Sequence, residues 1–202
     1  MPRNSYNKCV FINCPIDEAY RPLFRAITFT VIRCDYVPRC ALEEDDASEL
    51  RLAKIFRLIG ECRFGINDLS RTQSDRGLPR FNMPLELGIF LGAKYFGGHG
   101  QDRKVSLTFE RNPHSYERFI SDLKGQDIVA HRNDPEFVVR KIRDWLSTNS
   151  QRRSLPGGHV LWRDYVKFSK WLPAKCQKVG FRLVDLTFDD YARLAYLWLR
   201  DR

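Results

Sequence analysis

The chain has 202 residues, of which 43% are hydrophobic, 13% aromatic and 29% charged, and 34 Lys+Arg against 25 Asp+Glu give a formal net charge of +9. That composition excludes collagen-like, low-complexity and wholly disordered chains, and the length suits one domain of about 150 residues plus an appendage. A mean hydropathy of −0.44 and the lack of an apolar run of about 18 residues exclude a membrane-spanning helix. Met1–Lys8 is polar and only a strand-sized Val10-Phe11-Ile12 follows, so no signal peptide is expected and a cytoplasmic protein is.

In chain order, Cys9–Asn13 reads as a short buried strand that runs into Asn-Cys-Pro-Ile-Asp, with Asp17 placed to cap the next helix. Leu23, Phe24, Ile27, Val31 and Ile32 recur at helical spacing, and Asp35–Arg39 is a second, Pro38-containing strand. Ser48–Glu61 is helical, Arg63–Asp68 returns to strand, and Leu69–Phe81 is a polar loop. Pro84 suits a first helical turn and opens a helix through Leu91. Strand Lys104–Phe109, helix Pro113–Leu123, strand Asp127–His131 and helix Pro135–Leu146, capped by Asp134, complete the alternation. Such alternation predicts an α/β, flavodoxin-like (Rossmann-like) open parallel sheet of about five strands with helices on both faces.

The domain is expected to span residues 1–148, and residues 149–202 to form a basic helical appendage. Its segment 151–202 holds 11 Lys+Arg and 5 Asp+Glu, so it supplies +6 of the net charge and leaves +3 to residues 1–150. Trp162, Tyr165, Phe168 and Trp171 interleave with Arg163, Lys167 and Lys170. The three-residue steps of the aromatics fit either a helix face packed on a core or a surface that stacks nucleic-acid bases.

The six cysteines Cys9, Cys14, Cys34, Cys40, Cys62 and Cys176 contain no C-x-x-C and no Cys/His cluster, so reduced, buried thiols are expected and no metal. Cys14, just after the first strand, is the one placed for nucleophilic work. His99, His114, His131 and His159 are scattered and read as surface or capping residues. Gly97-Gly98-His99-Gly100 follows a helix rather than a strand, which is the wrong context for a phosphate loop.

Ligands of open parallel sheets bind beyond the carboxyl ends of the strands. The loops there carry Asn13, Cys14 and Asp17, then Arg39 with the acidic run Glu43–Asp46, then Asp68 and Ser70, then Asn82 and Glu86. Glu86 stands between Leu85 and Leu87. With Pro84 as first helical position it either satisfies helix-start amides or does chemistry. Asp68 either caps a turn through Ser70 and Arg71 or shares the site, and Arg39 either pairs with the acidic run or binds a phosphate.

The pattern Asp68-Leu-Ser, followed by Asn82-Met-Pro-Leu-Glu86-Leu-Gly88-Ile-Phe-Leu-Gly92-Ala-Lys94, resembles the nucleoside 2-deoxyribosyltransferases and the related Toll/interleukin-receptor-like (TIR-like) nucleotide-cleaving domains. The resemblance is loose over residues 8–146 and sharp over 63–94. It implies an N-glycosidase or base transferase acting on a nucleoside, nucleotide or NAD, with NAD as substrate rather than cofactor. It also implies Glu86 as the acid that attacks or stabilises the anomeric carbon and Asp68 as a second catalytic acid near the base and ribose. Asn13, Asp17, Arg39, Ser70 and Asn82 are then the substrate-binding residues, and both acids are expected to face one sugar-sized cavity. Two other readings stay open: a basic nucleic-acid or partner-binding module, and a non-catalytic TIR-like scaffold that assembles as a homo-oligomer.

Overall fold

The run Cys9–Asn13 is buried at every residue and forms β1, the inner strand from which the sheet grows in both directions. The computed structural model describes residues 5–43, 46, 48–71, 80–150 and 154–202. Beside β1 lie β2 (Val37–Arg39), β3 (Phe64–Asp68), β4 (Val105–Glu110) and β5 (Val129–Ala130) in the order β2-β1-β3-β4-β5. Every pairing is parallel, with Val10 opposite Phe64 and Ile66 opposite Leu107. This is the open, flavodoxin-like sheet that the β/α alternation predicts.

Among the described residues six helices cover it: α1 (Arg21–Arg33), α2 (Arg51–Gly60), α3 (Asn82–Phe96), α4 (Pro135–Asn149), α5 (Gly158–Lys178) and α6 (Phe188–Arg200). The two-residue period of a strand sorts side chains to the two faces. Val10, Ile12, Phe64 and Ile66 join the core built with α1 and α4, whereas Cys9 and Phe11 meet Ile55, Leu58 and Ile59 of α2 and Phe90 of α3. Gly65 also faces α3. A Cβ there would stand 2.8 Å from the Phe90 ring, so glycine is what lets α3 lie this close to β3.

Four elements differ from expectation for local reasons. Asp35 has φ +61°, a turn conformation, so the second strand starts only at Val37. Helix α3 begins at Asn82, which puts Pro84 in the third position and Glu86 in the second turn. In place of a helix over Pro113–Leu123 there are two short 3-10 turns, Tyr116–Arg118 and Ser121–Leu123. There the Glu110 carboxylate accepts the backbone N–H groups of His114, Ser115 and Tyr116, and His114 has φ +62°. The fifth strand shrinks to Val129–Ala130, with Arg132 and Asn133 at positive φ just beyond it. Asp134 caps α4 as predicted, accepting from the N–H groups of Glu136 and Phe137.

The C-terminal helices pack into the same core as α1 and α4. Phe168 is fully buried and stacks on Phe29 at 5.0 Å between centroids, Tyr165 is 9% exposed, and Trp162 and Trp171 lie against this cluster. The aromatic stripe is therefore core, and its inner rings have no free face for nucleic-acid bases. Asp164, wholly buried on α5, takes Arg33 of α1 at 3.0 Å and Arg202 at the chain's end, which pins this segment to the sheet layer. Among the described residues no helix is long and apolar enough to cross a membrane.

Candidate active site

Helix α3 runs back across the sheet with its N-terminus at the carboxyl edge of the strands. Phe90 fixes its rotation by lying on Gly65. Glu86 is four residues earlier, so it lies on the same helix face one turn nearer that edge. There its side chain lines a cavity of about 150 Å³, together with Asn13, Cys14, Cys40, Asn82 and Met83. Residue 86 is only 7% exposed. Among the described residues no hydrogen bond or ion pair reaches its carboxylate, and the charge nearest in effect is Arg51. Burial pushes its pKa up from the ordinary 4.5 to about 7, against a smaller lowering by Arg51. Because α3 opens at Asn82, Glu86 is not a helix-start cap, and no structural partner among the described residues accounts for it.

Asp68 has the opposite surroundings. It follows Phe64 and Ile66 on the strand face that looks toward α1 and α4, while α3 covers the other face. Its carboxylate is wholly enclosed: Oδ2 accepts from the Tyr20 hydroxyl at 2.6 Å and lies 3.0 Å from Nε2 of His131, and Oδ1 accepts from the Ser70 N–H at 2.8 Å. Burial acts to raise its pKa, but the hydrogen bonds from His131, Ser70 and Tyr20 outweigh burial and hold it below the usual carboxylate range. Asp68 lines neither of the two cavities at this edge. The expectation that both acids face one sugar site is thus corrected, because strand alternation sends Asp68 to the wrong side of the sheet.

His131 is correspondingly a buried residue and not a surface one. Its Nδ1 accepts the Asn133 N–H at 2.9 Å, which places the ring proton on Nε2, toward Asp68 and the Ser70 Oγ at 2.8 Å. Ser70 and Asp68 therefore meet the same protonated nitrogen. A serine nucleophile needs an unprotonated nitrogen beside it and a carboxylate on the far one, so this cluster is no hydrolase triad.

The remaining candidates divide. Asn13 lines the Glu86 cavity, but both of its amide N–H donors are engaged, by Asn67 Oδ1 at 3.0 Å and the Met83 carbonyl at 2.8 Å. Only its amide oxygen is left for a ligand. Asn82 lies exposed on the rim of the same cavity. Asp17 accepts the Tyr20 N–H and holds Arg71 through two bonds of 3.1 Å, so it closes the loop after β1 while lining a second, outer cavity. Arg39 is not in the site. Its Nε lies 2.7 Å from Glu43 and its Nη1 2.8 Å from Glu61, a paired guanidinium on the α2 side of the sheet. The rest of the acidic run is divided: Asp46 accepts from Ser48, and Glu44 and Asp45 lie outside the described residues.

Cys14 lines the cavity as well, but burial, reinforced by the charges of Asp68, Cys40 and Glu86, pushes its thiol well above the ordinary range. It is a neutral thiol at physiological pH and does not serve as the nucleophile. All six cysteines are free and buried, and no group of three or more His, Cys, Asp or Glu among the described residues is placed to hold a metal ion. Sequence reasoning missed Tyr20 and His131. A signal for His131 was present, since it directly follows the last strand at the edge where the other candidates were sought.

Fold and site together define an open α/β protein with a carboxyl, unpartnered among the described residues, in a recess at the carboxyl edge of its sheet. Comparison with known proteins matches the chain to no family model, no curated protein and no solved structure.

Proposed function

We propose that the protein cleaves the N-glycosidic bond of a nucleoside, nucleotide or NAD, either by hydrolysis or by transfer to a second base, with Glu86 as the acting carboxylate. The observation that supports this reading best is the unpartnered, buried Glu86 carboxylate open to a small cavity at the ligand-binding edge of the fold. As the C1′–N bond breaks, its electron pair leaves with the base and the sugar carbon becomes oxocarbenium-like. An ionised Glu86 beneath that carbon stabilises the positive charge or bonds to it covalently, and water or an incoming base then completes the substitution. A carboxylate in a recess does this better than one in water, since its field is less screened and it has no hydration shell to reorganise.

A pKa of about 7 leaves a large ionised fraction at neutral pH, and the charge of Arg51 and of the developing cation both favour the ionised form. The amide oxygen of Asn13 and the side chain of Asn82 are the groups at hand for sugar hydroxyls. Asp68 receives no chemical step; together with Tyr20, Ser70 and His131 it braces the ends of β3 and β5.

The test is incubation with a mixed panel of nucleosides, nucleotides and NAD, followed by chromatography for free bases. Wild type is expected to release base from at least one member, and Glu86→Gln to lose roughly 10²–10³-fold in rate while remaining folded. Release by Glu86→Gln at the wild-type rate overturns the assignment.

A further inference from the structure

Next to the Glu86 recess lies a larger cavity of about 510 Å³, with Pro15, Ile16, Phe24, Ala41 and Arg51 lining both. Ligand sites usually need roughly 300–1,000 Å³, so the inner recess alone is too small for a whole nucleoside and a substrate held there must extend outward. The outer wall is built partly by the C-terminal segment, through Val184, Leu186 and the first turns of α6.

Among the described residues the charges around this outer cavity are unbalanced. Arg21, Arg25 and Arg51 line it, against the carboxylates of Asp17 and Glu18. Asp17 is already neutralised by Arg71. Among the described residues Arg25 meets only uncharged groups, donating to the Leu183 carbonyl at 2.8 Å and lying 5.5 Å from the centre of the Tyr191 ring, so its own charge is not cancelled there. Arg21 and Arg51 have no ion-pair partner among the described residues, although the chain elsewhere pairs Arg33, Arg39, Arg57 and Arg71 with acids. Both are the first residues of their helices, and neither helix carries a side-chain cap at that end. Their helix dipoles therefore add to the positive potential where the guanidinium groups stand.

We infer that the outer cavity is an anion subsite for a phosphate or pyrophosphate group of the substrate, so that the substrate is a phosphorylated nucleoside and not a free one. This inference rests on the Glu86 reading for the identity of the ligand, and it makes the start of α6 part of the binding site. The sugar sits at Glu86, and its phosphate ester reaches outward to Arg21 and Arg51.

Two probes common to all such substrates, ribose and ribose 5-phosphate, are measured by calorimetry on Glu86→Gln protein, with inorganic pyrophosphate as a sugar-free probe. Ribose 5-phosphate is expected to bind at least roughly tenfold more tightly than ribose, the gain typical of a charge-assisted contact. Added salt should erode that preference. Arg21→Gln combined with Arg51→Gln should abolish the preference and pyrophosphate binding, with thermal unfolding as the check on folding. Equal binding of the two sugars, or a phosphate preference untouched by the double substitution, overturns the subsite. If phosphate binding behaves as stated while no base is released from any panel member, the subsite stands and the glycosidase reading fails.

Discussion

Replacing Glu86 with Gln should stabilise the protein, and only above the acidic range. The glutamate's pKa rises from the ordinary 4.5 to about 7 on folding, so between these values the folded state holds a proton that the unfolded chain releases. The resulting stabilisation is fully present below about pH 4.5 and is lost as pH rises through about 7. At about 1.4 kcal/mol for each tenfold change in proton affinity, ionised Glu86 costs about 3 kcal/mol at alkaline pH. Glutamine keeps the shape and cannot ionise, so it escapes that cost. For a chain of this size the gain corresponds to a melting temperature roughly 6–12 °C higher at pH 8.5, with no difference near pH 4.5. Thermal unfolding of both proteins across that range provides the measurement. A difference that does not vary with pH, or a wild type that is the more stable at pH 8.5, refutes the reasoning. Stability gained by deleting an acid, together with loss of turnover, is the behaviour of a group kept for chemistry.

Other outcomes follow from the same contacts. The rate of base release should rise with pH through an apparent pKa near 7 as Glu86 ionises, and a profile flat from pH 5 to 8 contradicts this. Asp68→Asn should lower stability by at least about 1.5–3 kcal/mol in urea titrations, because charge-assisted bonds from Tyr20, His131 and Ser70 are weakened; an unchanged midpoint contradicts it. Since the pKa of Asp68 is lowered, that contribution is present above the ordinary aspartate range and lost on acidification. Gly65→Ala should cost about 1–3 kcal/mol by pressing on Phe90 and should also slow base release by moving Glu86, and Phe90→Leu in the same chain should restore part of both. Cys14→Ala should leave base release within a few-fold of wild type, measured by the same chromatography.

The order of the sheet was legible because five short apolar runs alternate with amphipathic stretches, and right-handed crossovers then leave few topologies. Glu86 was legible because a carboxylate between two leucines at a helix start requires a partner or a task. The pairing of Glu86 with Asp68 was misread. Both stand near the carboxyl edge of the sheet, but Phe64, Ile66 and Asp68 share one face of β3, so the two-residue period already assigned Asp68 to the α1 and α4 side. The turns over Pro113–Leu123 were hidden for a different reason. They depend on Glu110 taking three backbone N–H groups, and the sequence pattern there is equally good for a helix. The outer cavity was illegible altogether, since it forms only where Val184–Tyr191 meets the loops after β1 and β2, some 150 residues away in sequence.

The most direct single measurement is a ¹³C carboxyl titration by NMR of protein labelled at glutamate, with the Glu86→Gln spectrum identifying the resonance. The Glu86 signal should titrate near 7 and shift when ribose 5-phosphate is added. A carboxyl that titrates near the ordinary 4.5 and ignores the sugar phosphate would mean that Glu86 is neither buried in solution nor part of a ligand site.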